Sequence, residues 1–498
     1  MLEQIKRGAQ LAKIGWNLRK TGENYSEAER ALAKRHLVNL FAQSKGITMK
    51  VGQLFADDSV DNPYNQLVDS IEPLPLNTVI PEVEKALGGN IEQFFSIFKA
   101  AEHAASLGQV HYAELHDGTP VAVKVQYPDI QKAVDAELKL AGLLPGAGPV
   151  KKWGFDLSSY IDTLRANMER ELDYLSEARR QQEYYQKVKV AGLVVPKVYM
   201  ELCRKTILVQ SWETGDKLEM ITHWTIDDRL ETGRILLKTL LASLFEAGLV
   251  HGDPHSGNYL FRKDKNGVPE VVLLDYGCTI PVDRTERLSL LKLIVATRSS
   301  KDISALSAFV SMGFELDKLA KIAKSLPMLA RILFRPFLAE DRFRVVDWNL
   351  KKDFESLLGE RRWWFRSAGP SNLFLLLRAF QGLTGQLGSL QAYIPWWKLL
   401  YEAVSLDTFA AAGQMCLPEL ASEFTEGTEI NSIATTLHVK VLKNGVSKAS
   451  VELPAELVLD LKNIIPPKPK AKIKNAFGFT RNIVLIISKN ETGSFLKS

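Results

Sequence analysis

Between Leu249 and Gly277 the chain reads LVHGDPHSGNYLFRKDKNGVPEVVLLDYG, and very few folds have a use for such a run. An apolar approach, Leu249 and Val250, leads into His251-Gly252-Asp253, with Asn258 five residues beyond that aspartate. A second apolar run, Val271 to Leu274, delivers Asp275-Tyr276-Gly277. Kinase-like phosphoryl-transfer centres present their groups in this order: Asp253 to orient an incoming hydroxyl, Asn258 and Asp275 to hold Mg²⁺. Those residue types are needed because the chemistry is mostly positioning and charge neutralisation, and Mg²⁺ takes oxygen ligands. Either half alone arises by chance; both halves joined by one apolar strand form a far narrower pattern. A metal-hydrolase reading of His251, Asp253 and His255 competes, but it lacks a second His or Cys cluster to complete a coordination sphere. His255 reads instead as loop packing.

At 498 residues the chain exceeds one comfortable core, so two to three domains are expected. Its 46% hydrophobic and 24% charged residues are those of an ordinary globular protein. A net charge of +5 is too mild to argue for a nucleic-acid partner. Cys203, Cys278 and Cys416 lie far apart with no CxxC pair, which favours a reducing compartment without structural zinc or a disulfide frame. No apolar run approaches the roughly 18 residues of a membrane span. The basic N-terminus has no continuous apolar core, so it is not a secretory signal. The expected location is cytoplasmic, with peripheral contact on the inner face of a membrane left open.

Residues 1–56 read as helix, with Leu2, Ile5, Leu11, Ile14 and Leu18 at helical spacing among basic residues. Such a helix packs on its own protein or lies on an anionic membrane. A second stripe from Leu37 to Phe55 carries Lys50-Val51-Gly52-Gln53, which signals nothing when read locally. Residues 57–81 read as loop, and a helix from Pro81 to Leu87 ends at Gly88-Gly89. The segment from Ala100 to His111 sits where a phosphate-covering loop belongs, ahead of a turn at 116–119 and the strand Val121-Ala122-Val123-Lys124-Val125. Ala104, Ala105 and Ser106 stand where kinases place glycines, and Gly108 is the lone glycine, so the loop is expected to be stiffer. Lys124 in an apolar strand needs a carboxylate partner. The polar helix expected around 157–188 offers Glu169, Glu171, Asp173 and Glu177, and periodicity does not choose among them.

Strands at VVPKVYM (194–200) and TILVQ (206–210) lead to Ser211-Trp212-Glu213-Thr214-Gly215, a hinge whose backbone could bind adenine. Beyond it the pattern turns helical. Leu236 to Phe245 face a core, and several helices follow from Thr285 to Phe409. RRWWFR at 361–366 and PWWK at 395–398 suit either lipid headgroups or packed cation–π clusters. Leu437–Leu442 and Ser447–Leu453 around Asn444-Gly445 make a hairpin. The lysines at 468, 470, 472 and 474 form a solvated linker or favour an anionic surface. The apolar run Ile483–Ile487 is too short to span a bilayer, and no internal repeat is found.

With these residues in place, the chain resembles the UbiB/AarF/ADCK family of atypical, protein-kinase-like proteins over roughly residues 30–300. The resemblance rests on KVGQ at 50–53, AASLGQVH at 104–111, VAVKVQYP at 121–128, ELD at 171–173, HGDPHSGN at 251–258 and LLDYG at 273–277. It implies that Lys50, Gly52 and Gln53 fold over the active site, restrict access and disfavour protein phosphorylation. It implies that Ala104, Ala105, Ser106, Gly108 and Gln109 replace the glycine loop, with Ser211 and Glu213 at the hinge. It pairs Glu171 with Lys124 and places Asp173 in the same regulatory element. Asp253 matches the catalytic aspartate, and Asn258 and Asp275 match the metal ligands. ATP and Mg²⁺ are the implied cofactors, and an isoprenoid lipid or lipid precursor the implied partner. The chain departs from many bacterial relatives in showing no transmembrane helix, and nothing after about Asp407 matches the family.

The expected fold is α+β: a protein-kinase-like pair of lobes, small and β-rich then larger and helical, with a helical N-terminal extension and a small α/β C-terminal appendage. The expected domains are 1–95, 96–212, 213–415 and 416–498. The leading functional expectation is an ATP- and Mg²⁺-dependent atypical kinase or ATPase supporting ubiquinone or other isoprenoid-lipid metabolism at a membrane surface. The alternatives are a small-molecule phosphotransferase of the aminoglycoside or choline kinase kind and a nucleotide-gated lipid-binding scaffold without turnover.

Overall fold

The structure, a computed structural model, describes residues 73–104, 107–131, 134, 165–166, 168–370, 372–421, 436–443 and 446–454. Residues 102–104 and the last two runs are described by backbone alone. The expectations for residues 1–56, KVGQ included, and for the basic tail lie outside the described residues.

Helix α1 (Leu76–Leu87) starts five residues before the expected Pro81, which sits inside it. Its stripe of Val79, Val83 and Leu87 packs on a four-stranded antiparallel sheet. The sheet comprises β1 (Ile97–Ala104), β2 (Gly108–Glu114) and β3 (Pro120–Gln126). Helix α2 (Tyr174–Lys187) and the two-residue β4 (Leu193–Val194) follow, and β5 (Ile207–Ser211) completes the sheet in the order β1-β2-β3-β5. Along β3, Val121, Val123 and Val125 alternate into a core shared with α1, Tyr174 and Ala178. The strand period of two therefore puts Lys124 on the opposite face of the pleat. Burying each valine contributes about 1.5–3 kcal/mol, so the register that places Lys124 is strongly specified.

Two expectations are corrected here. The polar helix is not continuous through 157–188: Asp173 starts a new one, its side chain accepting from Ser176 N–H at 2.9 Å as the N-cap of α2. The strand expected at 194–200 shrinks to β4, because Pro196 lacks the N–H that a ladder needs.

The larger lobe opens with α3 (Ile226–Ala242), continued by a π-helical turn over Ser243–Ala247. Next come β6 (Leu249–His251), the hairpin of β7 (Tyr259–Lys263) and β8 (Pro269–Leu273), and β9 (Thr279–Pro281). Strand β6 pairs with β9, and β8 pairs in parallel with β4, tying the α2 region to the second lobe. Residues 278–283 alone separate the DYG triplet from α4 (Arg284–Ser299). Helices α5 (Ala305–Ser311), α6 (Leu326–Leu333), α7 (Leu350–Leu358), α8 (Arg362–Ala368), α9 (Leu373–Ser389), α10 (Trp396–Ala403) and α11 (Leu406–Gln414) follow. They bury Leu291, Leu326, Leu329, Trp396 and Leu400 in one core. The tryptophan-rich motifs resolve as packed clusters: Trp363 beneath Arg362 and Arg366, Trp364 beneath Lys321, and Trp397 beneath Arg298. A strand pair at Thr436–Lys443 and Val446–Pro454 forms the expected hairpin. Among the described residues, no helix is long and apolar enough to cross a membrane.

The β-rich sheet and helical lobe meet through Trp212–Gly215, which is the protein-kinase-like arrangement. Gly108 shows how tightly the first part is built. A Cβ there would lie 2.3 Å from the Val125 carbonyl oxygen and 2.7 Å from the Tyr174 hydroxyl. Gly108→Ala is therefore expected to lower stability by about 1–3 kcal/mol in urea denaturation. An unchanged midpoint would contradict this packing.

Candidate functional site

The site grows from the Lys124 ammonium. Its Nζ donates to Glu177 Oε1 at 2.9 Å and Oε2 at 3.1 Å, and to Asp275 Oδ2 at 3.0 Å. The Lys124 side chain is 14% exposed and that of Glu177 2%, so their contact acts with little solvent screening, whereas Asp275 is 33% exposed and its contact is screened more. The ammonium also lies 4.8 Å from the centre of the Tyr174 ring. Burial alone would depress the Lys124 pKa, but Asp275 and Glu177 outweigh it and hold the lysine well above its usual range. Burial pushes Glu177 upward in spite of Lys124. Two carboxylates face the one ammonium, and the Arg180 guanidinium adds a second positive charge beside them.

This corrects the expected pairing. The carboxylate against Lys124 is Glu177, on the first turn of α2, and not Glu171, which precedes the helix cap. Glu171 stands beside the site: a Cβ on Gly277 would lie 3.5 Å from its Cγ and 3.4 Å from Glu177 Oε2. Asp173 caps the helix that carries Glu177.

Asp275 is fixed at both oxygens, Oδ1 accepting from Gly277 N–H at 2.8 Å and Oδ2 from Lys124. Its carbonyl accepts from His251 Nε2. Asn258 Nδ2 donates to the Asp253 carbonyl at 3.1 Å, which leaves Oδ1 as the side-chain oxygen for a cation. Leu274 N–H donates to the Asn258 carbonyl at 3.0 Å, so Asn258 and Asp275 sit on adjoining backbone. The Asp253 carboxylate accepts at Oδ1 from Arg378 Nη2 at 2.9 Å. His255 Nδ1 accepts from Gly257 N–H at 3.0 Å. His251, Asp253 and His255 are thus engaged with three different partners. Among the described residues, no group of three or more His, Cys, Asp or Glu could hold a metal ion by itself. The metal-hydrolase reading accordingly lacks a ligand set.

The phosphate-loop expectation is narrowed. Gly108 and Gln109 belong to β2, and Ala104 ends β1. Gln109 is 1% exposed and uses its amide on both backbone groups of Leu74, at 2.7 and 3.0 Å, and on the His111 ring. It anchors the segment before α1 and is corrected from the nucleotide set. Ala105, Ser106, Lys50, Gly52 and Gln53 lie outside the described residues. At the hinge, Ser211 Oγ donates to Glu213 Oε1 at 2.7 Å, and Glu213 Oε2 pairs with Arg262 at 2.8 Å. These side chains brace the hinge.

Two contributors escaped the sequence reading. Arg180, one turn after Glu177, donates to the Tyr276 and Gly277 carbonyls at 3.3 Å each and clamps α2 to the DYG triplet. Arg378 comes from α9, far along the chain. The first had a signal in the i, i+3 spacing of Glu177 and Arg180; the second had none.

A family profile described as "ABC1 atypical kinase-like domain" matches residues 66–308. Over that region the chain matches the UbiB/AarF/ADCK family of atypical kinases. It is 31% identical over 269 residues to the AarF domain-containing protein kinase 1 of Xenopus laevis, covering 51% of each chain. To the mitochondrial atypical kinase COQ8 of Saccharomyces cerevisiae it is 27% identical over 288 residues, covering 56% of this chain and 57% of the relative. It therefore spans about half the length of these curated relatives. The Rv3197–erythromycin complex from Mycobacterium tuberculosis is similar in structure, with a TM-score of 0.52, 26% identity, and 75% of this chain and 96% of that one covered. The family profile ends at residue 308, so α9 and Arg378 lie beyond it.

The two glutamates are separable in solution. Glu177→Gln leaves Lys124 without its buried partner, and Mg²⁺–nucleotide affinity is expected to fall about tenfold, roughly 1.4 kcal/mol, by titration calorimetry. Glu171→Gln is expected to reduce it less. The reverse order would contradict the assignment.

Proposed function

We infer that this protein is an ATP- and Mg²⁺-dependent atypical kinase or ATPase of the UbiB type, supporting ubiquinone or another isoprenoid-lipid pathway at a membrane surface. The carrying observation is the convergence of the Lys124–Glu177–Asp275 ion-pair set with Asn258 and Asp253 on adjoining backbone. The Asp275 carboxylate and the amide oxygen of Asn258 suit a hard divalent cation that takes its remaining ligands from water and phosphate. Asn258 and Asp275 are the residues that would hold it. Bound there, Mg²⁺ would neutralise charge on the phosphate oxygens.

Glu177 orients Lys124, whose ammonium exchanges the Asp275 carboxylate for α/β-phosphate oxygens. Asp253 orients the acceptor, a hydroxyl or water. Arg180 keeps α2 and the DYG triplet in register, so that Lys124 and Asp275 meet the same nucleotide. The family match supports the lipid and membrane assignment, and the organellar name of the yeast relative is consistent with it.

The test is Mg²⁺-dependent ATP turnover by the full chain, with and without anionic liposomes and isoprenoid phenols. Asp275→Asn is expected to cut turnover at least a hundredfold, and the lipids to stimulate the wild type. Unchanged turnover in Asp275→Asn would refute the site. Transfer to soluble alcohols with indifference to lipid would refute the membrane assignment.

A further inference from the structure

Helix α9 is seated directly on the catalytic loop. Leu375 packs with Cys278 and Ile280, and Ala379 with Val250 and Val282. One turn on, a Cβ at Gly382 would lie 2.1 Å from Pro254 Cβ, so only glycine allows this approach. Gln386 Nε2 donates to the Pro254 carbonyl at 3.2 Å. These residues follow the i, i+4, i+7 stripe of one helix face, and Arg378 lies within that stripe. Its guanidinium is thereby held at Asp253, the carboxylate assigned to the acceptor.

A guanidinium carries five N–H donors in a planar fork suited to carboxylate and phosphate oxygens. Among the described residues, Arg378 makes one hydrogen bond, from Nη2 to Asp253 Oδ1 at 2.9 Å. Its side chain is 14% exposed, as is that of Asp253, so both members of the pair keep some contact with solvent. Arginine–carboxylate pairs are frequently bidentate, with two parallel N–H donors on the two oxygens. This one uses a single arm and keeps donors in reserve beside the acceptor position. Lys124 and Asp275 serve the nucleotide side, and Arg378 reaches Asp253 from α9.

We propose that Arg378 is an acceptor-recognition residue that binds an anionic oxygen group, a phosphate monoester or a carboxylate, on the molecule whose hydroxyl Asp253 orients. The proposal deepens the kinase reading and rests on it. The acceptor is then an anionic hydroxyl compound, and a neutral alcohol lacks half of the recognition.

The test uses the full chain saturated with Mg²⁺ and a non-hydrolysable ATP analogue, titrated with methyl phosphate, with acetate and with methanol. The wild type is expected to show one saturable site for an anion and none for methanol. The stronger of the two anions identifies the source of the charge. Arg378→Gln is expected to weaken anion binding at least tenfold while analogue affinity stays within twofold. Arg378→Lys, which keeps the charge and loses the fork, is expected to fall between; it decides the matter if Arg378→Gln fails to fold. Absence of a saturable anion site, or anion binding indifferent to these substitutions, would overturn the proposal. A parallel loss of analogue affinity would also overturn it, assigning Arg378 to the nucleotide's own phosphates. If the analogue does not bind the wild type, the kinase reading fails, and anion titration of the nucleotide-free chain still decides the role of Arg378.

Discussion

An ammonium held between two carboxylates is the contact on which the molecule's organisation turns. Lys124 is fixed by the valine register of β3, Glu177 by the first turn of α2, and Asp275 by the end of β8. Three separate elements therefore meet at one charge cluster, and any slip among them strands a buried charge. Stranding one partner of a buried pair costs about 3–5 kcal/mol, which makes the relative placement of sheet, helix and DYG loop strongly determined. Arg180 adds a second positive charge beside the two carboxylates and ties helix α2 to the DYG loop.

The supports around this cluster are polar to an unusual degree for buried structure. Helix α2 turns Glu177, Arg180 and Gln181 inward, and each finds partners: Lys124, the carbonyls of the DYG loop, and the Pro196 carbonyl with Gln210. These bonds favour one arrangement, because moving the helix by a turn would break several of them at once, although the Gln181 amide oxygen is itself buried without a partner among the described residues. On the other side, Ala379, Gly382 and Gln386 of α9 bring a second helix against the catalytic loop. The 251–258 loop is thus covered on this face by a part of the chain beyond the family profile.

Much of this was legible in the sequence. The spacing from Asp253 to Asn258 and on to Asp275, with an apolar strand between, marked residues that the structure brings together, because strand ends and tight loops leave little freedom at such short range. The alternation of VAVKV placed Lys124 correctly for the same local reason. The partner of that lysine was not legible. Glu171 and Glu177 are both acidic and both close in sequence, and the choice depends on where α2 begins. The Asp173 cap to Ser176 N–H makes that decision in three dimensions. Gln109 was misplaced because a glutamine in a loop-like motif carries no mark of burial; its anchoring of Leu74 is a contact across 35 positions. Arg378 lies 125 positions from Asp253, and nothing in the spacing of charges marks that meeting.

The most direct test is a crystal structure of the full chain with Mg²⁺ and a non-hydrolysable ATP analogue. The account predicts that Lys124 keeps its bond to Glu177, releases Asp275 to the metal alongside Asn258, and takes a phosphate oxygen in exchange. Triphosphate bound away from Lys124, or Lys124 still paired to both carboxylates beneath a bound nucleotide, would contradict it.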